Sequence, residues 1–326
     1  MEETLRSQLC NSFSKEALYV VGFCALTAPL ERIKLILQTQ GSTPYNSNLT
    51  RVSGGINTIK QVLVKEQGIP SFWKGNLLTT SYMLSRMTFF PIYLYTYKHY
   101  LKPKNEKSKI SIAVSKLSSG VVSSLAVLSL MYPLDVMRTM RMTDLNNKYP
   151  SGFSVISKGL RMDGAATPFK AFSSSLVYFA IDRIPFFLPL FFILNSTLPK
   201  AVLMANTEED KPDQETFNLL SLIAINTTLL IKELVSYPFD TVNKVLITQR
   251  KVEGKINYYG INDAMDKHIR EGGRMALYRG FIPNIVRKSL GISLIFCYFN
   301  PPSGKLFGQW FNKEEYNYDN DQNRFN

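Results

Sequence analysis

Pro29-Leu30-Glu31, Pro133-Leu134-Asp135 and Pro238-Phe239-Asp240 stand 104 and 105 residues apart, and this even spacing divides the chain into three copies of one unit. A second signature follows each triplet. It reads Glu66-Gln67-Gly68 then Phe72-Trp73-Lys74-Gly75, next Asp163-Gly164 then Phe169-Lys170-Ala171, and last Glu271-Gly272-Gly273 then Tyr278-Arg279-Gly280. Two unrelated motifs recurring in one order at one period mark an internal repeat, in which each unit buries its apolar face against its neighbours.

Composition conceals this organisation. A chain of 326 residues with 19% charged residues and a mean hydropathy near zero would suit two or three soluble domains. The local pattern excludes that reading. Leu117 to Leu134 and Phe217 to Ile231 contain no charged residue, and Phe186 to Leu198 is nearly all aromatic and aliphatic. Segments near the length that spans a bilayer recur about twice per unit. Six such spans, interrupted by proline, glycine and inward-facing charges, describe an all-α membrane bundle around a wet cavity. The spacing predicts spanning helices over roughly 11–40, 77–100, 109–142, 172–198, 215–249 and 282–311, with short surface helices near 54–66, 154–162 and 262–271. The repeats then occupy 11–101, 109–200 and 213–312 of a single domain, followed by a polar tail over 313–326.

The net charge of +13 implies an anionic partner. Nucleic acid is disfavoured, because the Lys and Arg residues are spread over loops and helix ends without a base-reading module. Anionic phospholipid fits better. The acidic start, Met1-Glu2-Glu3, argues against an Arg-rich transit peptide. Cys10, Cys24 and Cys297 are scattered and His99 and His268 isolated, so neither disulfides nor a metal site is expected. Lys102, Lys104, Lys107 and Lys109 crowd the loop opposite the proline motifs, which leaves the orientation in the membrane unassigned.

The pattern Pro-x-acid-x-x-base, then acid-Gly, then aromatic-base-Gly, three times in the chain, resembles the mitochondrial carrier family over its whole length. The first repeat, with Ala28-Pro29-Leu30-Glu31-Arg32-Ile33-Lys34-Leu35, Gln38 and Ser71-Phe72-Trp73-Lys74-Gly75-Asn76, is most similar to the family's ADP/ATP-carrier branch. The resemblance implies a pseudo-threefold bundle of six helices in the mitochondrial inner membrane, a multi-pass solute exchanger that alternates access to a central site, and no enzyme. It implies no cofactor, though bound cardiolipin is expected.

Physical reasoning supports a gate at the first motif. Each proline removes a backbone hydrogen bond and bends its helix, so three helices can converge at one end. In the family each acid pairs with the base of the next repeat, which here implies Glu31 with Arg138 and Asp240 with Lys34, with Gln38 beside them. The third link would join Asp135 to position 243, where Asn243 replaces a base. Lys244 is adjacent, but one residue turns it about 100° around the helix. The expectation is a matrix gate of two ion pairs and one weak polar contact. At the opposite end the family's acidic latch positions fall on Tyr95, Phe191 and Phe299, none acidic, with Lys98 surviving; closure there would rest on aromatic packing.

Family resemblance also points to the cavity. The residues seven after each motif glycine are Tyr82, Tyr178 with Phe179, and Arg287; Arg86, Asp182, Arg183 and Glu233 lie one turn away or at symmetry-related places. The cations Arg86, Arg183 and Arg287 exceed the acids Asp182 and Glu233 by one, and Cys24 stands where nucleotide carriers have lysine. That balance predicts weak or absent ADP/ATP exchange and a small solute, nucleotide-like or otherwise. At the second motif, Trp73, Lys74, Gly75, Phe169, Lys170, Tyr278, Arg279 and Gly280 open helices whose free N–H groups suit lipid phosphate. Ala171 in place of glycine should weaken the middle site. The missing links leave a second reading open, a degenerate carrier serving as a structural subunit of a larger inner-membrane complex.

Overall fold

A computed structural model describes residues 2–40, 59–60, 68–101, 109–192, 214–249 and 258–299, and in these it contains helices and turns. The long helices are α1 (Glu2–Gln38), α4 (Lys109–Met142), α6 (Phe172–Phe192), α7 (Gln214–Thr248) and α9 (Phe281–Phe299). The predicted span over 77–100 is instead broken. It forms α2 (Asn76–Arg86), a turn at Met87 and Thr88, α3 (Phe89–Thr96) and a π-helical turn over Tyr97–Leu101. Surface helices α5 (Gly152–Asp163) and α8 (Ile261–Gly272) take the expected places, while most of 54–66 lies outside the described residues. Ser151 and Ser154 cap α5 reciprocally through side chain and backbone. Among the described residues only Val114–Met142 is long and apolar enough to cross a membrane on those grounds alone.

Pro29, Pro133 and Pro238 lie inside α1, α4 and α7, and each helix continues through its proline. Proline has no N–H, so the carbonyl four residues earlier loses its partner. In α1 that carbonyl belongs to Ala25, and the Trp73 indole N–H donates to it at 2.8 Å. The aromatic of the second motif thus repairs the backbone defect made by the first.

The ends of α4 and α7 are held by bases from the repeat before. Arg32, fully buried, donates from Nε to Met142 O at 3.1 Å and from Nη1 to Ser71 O. Lys74 Nζ reaches Asp144 O and, at 2.8 Å, Asn147 Oδ1; Lys170 Nζ reaches Gln249 O. Cations at helix C-termini satisfy orphan carbonyls and oppose the helix dipole. Gly75 (φ 85°), Ala171 (φ 59°) and Gly280 (φ 81°) share a left-handed backbone at the start of α2, α6 and α9. That conformation explains the glycine of the motif, and Ala171 adopts it at a cost of about 1 kcal/mol.

Two compact units result. The first comprises Met1–Leu176 with Phe239–Pro283, the second Val177–Pro238 with Asn284–Asn326. Three apolar clusters form the core of the first unit, one for each repeat: around Ile33, Ile36 and Phe72; around Tyr132, Val136, Met140 and Val155; and around Val242, Leu246, Tyr258 and Leu277. Near Tyr258 of the third cluster, His268 of α8 is buried, its ring 5.9 Å from that tyrosine's, and burial lowers its pKa below the ordinary value.

Candidate functional site

The acids and bases of the proline motifs meet in the first unit. Arg138 Nη1 lies 2.8 Å from Glu31 Oε1, joining α4 to α1, and Lys34 Nζ lies 2.7 Å from Asp240 Oδ2, joining α1 to α7. Gln38 Nε2 donates to Asp240 Oδ2 at 3.1 Å and to Thr241 Oγ1 at 3.2 Å. The third link differs from the expectation. Lys244 Nζ sits 3.0 Å from Asp135 Oδ2 and 3.2 Å from Oδ1, closing the ring between α7 and α4. Rotating the backbone position by 100° displaces Cβ, but a four-carbon stem restores the position of the ammonium. Asn243 has another task. Its Oδ1 lies 2.7 Å from Ser174 Oγ and 2.8 Å from Ser175 Oγ, and the Ser175 hydroxyl, with one proton to give, is also 3.1 Å from Tyr132 OH.

Asp135 also accepts from Arg138 Nε at 2.7 Å within α4. Three carboxylates therefore face three bases, and the ring is neutral. Buried charges are tolerated where each has a well-placed partner, which is why a base had to be found for Asp135 near position 243. Tyr82 adjoins this ring. The Arg138 guanidinium stands over its ring, 4.2 Å from the centroid, and Arg86 is at 5.7 Å. Tyr82 is buried and Arg86 exposed.

A second charged cluster occupies the second unit. Lys232 Nζ of α7 lies 2.8 Å from Asp182 Oδ1 of α6 and 4.0 Å from Glu233 Oε1. Glu233 also pairs with Lys288 Nζ of α9, and its Oε2 accepts from Asn284 Nδ2 at 2.6 Å. Arg287 is buried one residue before Lys288. Lys232 and Lys288 add to the cavity charge expected from sequence; they stand where the other repeats carry the uncharged Phe23 and Val127, and Met83 and Phe179. Within this unit Lys232, Arg287 and Lys288 stand against Asp182 and Glu233. Tyr178 and Phe179 are half-buried on α6, and the side chain of Arg183 lies outside those described.

The second-motif residues fare unevenly as candidates for phosphate. A surface cavity of about 380 Å³ is lined by Gly68, Pro70, Ser71, Trp73, Lys74, Arg141 and Asn147, so Trp73 and Lys74 border a recess even as Trp73 serves Ala25 O within α1 and Lys74 serves Asp144 O past the end of α4. Lys170 is spent on Gln249 O, and Phe169 packs 6.2 Å from the Tyr132 ring. Tyr278 packs edge-on against Phe281 at 6.1 Å. Of the opposite-end aromatics, Tyr95 is exposed and stacks on His99 of its own helix turn at 4.4 Å. The side chains of Lys98, Phe191 and Phe299 lie outside those described.

The chain resembles a known family and several known proteins. The family described as "Mitochondrial carrier protein" matches residues 21–104 and 215–300. The chain is 28% identical over 279 residues to the "Probable envelope ADP,ATP carrier protein, chloroplastic" of Arabidopsis thaliana, covering 84% of this chain and 66% of that one. It is 28% identical over 279 residues to the "ADP,ATP carrier protein" of Parachlorella kessleri, covering 83% and 78%. It is 27% identical over 284 residues to human "ADP/ATP translocase 4", covering 83% and 84%. The chain thus spans just under two thirds of the length of the Arabidopsis envelope relative.

Proposed function

The chain belongs to the mitochondrial carrier family, whose fold is a six-helix membrane bundle and whose members are solute transporters, and from that premise we propose that it exchanges a small charged solute across the mitochondrial inner membrane by alternating access. The observation that carries the proposal is the ring Glu31–Arg138, Asp135–Lys244 and Asp240–Lys34, in which every link joins two different repeats. Such a ring closes one end of the pathway and can open only when all three links part. Its completeness favours a working gate over a degenerate one.

Adenine nucleotides are poor candidates for the solute despite the relatives' names. Cys24 and Tyr82 are uncharged at places where the family's nucleotide carriers are basic, and Tyr82 covers Arg138. Glu233 adds a buried carboxylate. A nucleotide with three or four negative charges needs several uncommitted cations. Anionic phospholipid, cardiolipin by family resemblance, fits the cavity bordered by Trp73, Lys74 and Arg141. The ion pairs of the second unit favour a second reading, a structural subunit whose pathway is plugged by its own side chains.

One experiment tests both. Purified protein is reconstituted in liposomes loaded with nucleotides, amino acids or carboxylates, and uptake of the labelled solute is followed. Saturable counter-exchange of one class supports the carrier. No exchange of any class, from protein shown to be folded, supports the structural subunit.

A further inference from the structure

The cluster of α6, α7 and α9 brings together ammonium and carboxylate groups in alternation. Lys232 lies between Asp182 and Glu233, at 2.8 and 4.0 Å, and Glu233 in turn lies between Lys232 and Lys288. The carboxylates are sealed, with side-chain exposures of 8% for Asp182 and 2% for Glu233, whereas Lys232 and Lys288 keep 22% and 28%. Long lysine stems can swing their ammonium groups toward water while the short acids stay inside. Asn284 is fully buried; its Nδ2 serves Glu233, and its Oδ1 accepts no hydrogen bond among the described residues. A buried acceptor beside a carboxylate suits an incoming N–H donor.

Resting on the reading of this chain as a solute exchanger, we propose that this cluster binds a small zwitterion, a molecule with one ammonium and one carboxylate on a short skeleton, as in an α-amino acid. Such a solute replaces the internal pairs one for one. Its ammonium takes Glu233 together with Asn284 Oδ1, and its carboxylate takes the lysine so released. No net charge enters the protein. A nucleoside triphosphate would compete with two buried carboxylates for the same lysines and be repelled by them. A simple anion or a simple amine satisfies half of the cluster and strands the other half.

The test is thermal unfolding of the full-length detergent-purified protein with each standard α-amino acid at millimolar concentration, binding being read as a rise in midpoint. For every amino acid that stabilises, the deaminated acid and the decarboxylated amine of the same skeleton are run beside it, together with ATP. The expected result is stabilisation by one or more amino acids, with apparent affinity reduced about tenfold or more when either charge is removed, and reduced again by Glu233→Gln. Equal stabilisation by the deaminated acid, by the amine or by ATP overturns the proposal, as does stabilisation by none of them. Should Glu233→Gln fail to fold, the analogue series on the unmodified chain decides alone. Liposome exchange keeps the two readings apart. Amino-acid binding without flux removes the exchanger and leaves the site, and flux of another solute class without amino-acid binding removes the site and leaves the exchanger.

Discussion

The proline-motif ring and the α6–α7–α9 cluster both hold ion pairs inside helices, yet they are built to different ends. In the ring the carboxylates Glu31, Asp135 and Asp240 and the bases Arg138 and Lys244 are all less than one-tenth exposed, and every link joins a proline-bearing helix to another. In the cluster only the acids are sealed, and both lysines reach toward solvent. A pair sealed on both sides holds its helices together until the whole contact breaks. One open on a single side can trade its partner for a solute while the helices stay in place. On the function proposed above, the first arrangement is a closure and the second a binding place.

Removing Arg138 should expose that contrast most strongly. Arg138→Ala takes from Glu31 and Asp135 the base they share, at a cost of about 3–5 kcal/mol. Unfolding of the detergent-purified variant measures it, and a loss below about 1 kcal/mol would break the description of the ring as sealed. Lys244→Met should cost about 2–3 kcal/mol, since Asp135 then keeps Arg138 alone among the described residues. Asn243→Arg restores a base at the symmetric position but should destabilise, because the site is 2% exposed and filled by Ser174 and Ser175. A more stable Asn243→Arg protein would show that Lys244 is not the third base.

Smaller effects sharpen the comparison. Tyr82→Leu should cost about 1 kcal/mol and Tyr82→Phe little, since phenylalanine keeps the aromatic face over Arg138; a double-mutant cycle with Arg138 isolates the contact. In the cluster, Glu233→Gln combined with Lys288→Met should leave stability within about 1 kcal/mol of the parent, because removing both members of a pair strands neither. A loss as large as that of Arg138→Ala would make the cluster a structural lock like the ring.

How much of this was legible follows from where symmetry operates. Glu31 with Arg138 and Lys34 with Asp240 could be read because a fixed period places each acid against the next repeat's base. Lys244 was misjudged because a helical-wheel angle locates Cβ, whereas an ion pair forms at Nζ, several bonds away. Lys232 and Lys288 have only uncharged counterparts, Phe23 and Val127 for the first and Met83 and Phe179 for the second, so a repeat of charge does not single them out. The part of Trp73 in satisfying Ala25 O was equally hidden, although an N–H-bearing side chain following a proline helix is a clue to look for. Helices α4 and α7 fall within one residue of expectation because proline motifs and apolar runs mark them. The break at Met87 and Thr88 is announced by Pro91, which has no N–H to give Met87 O and whose ring crowds that carbonyl.

For solute to pass, the proposed gate must open. Lys34→Cys with Asp240→Cys, in a chain freed of Cys10, Cys24 and Cys297, places two thiols across one link; a short bifunctional thiol reagent can then bridge them. The measurement is counter-exchange by proteoliposomes before and after bridging. Exchange in the unbridged protein, arrest on bridging, and recovery when a cleavable bridge is cut are expected; undiminished exchange with the bridge in place would show that solute passes without the ring opening.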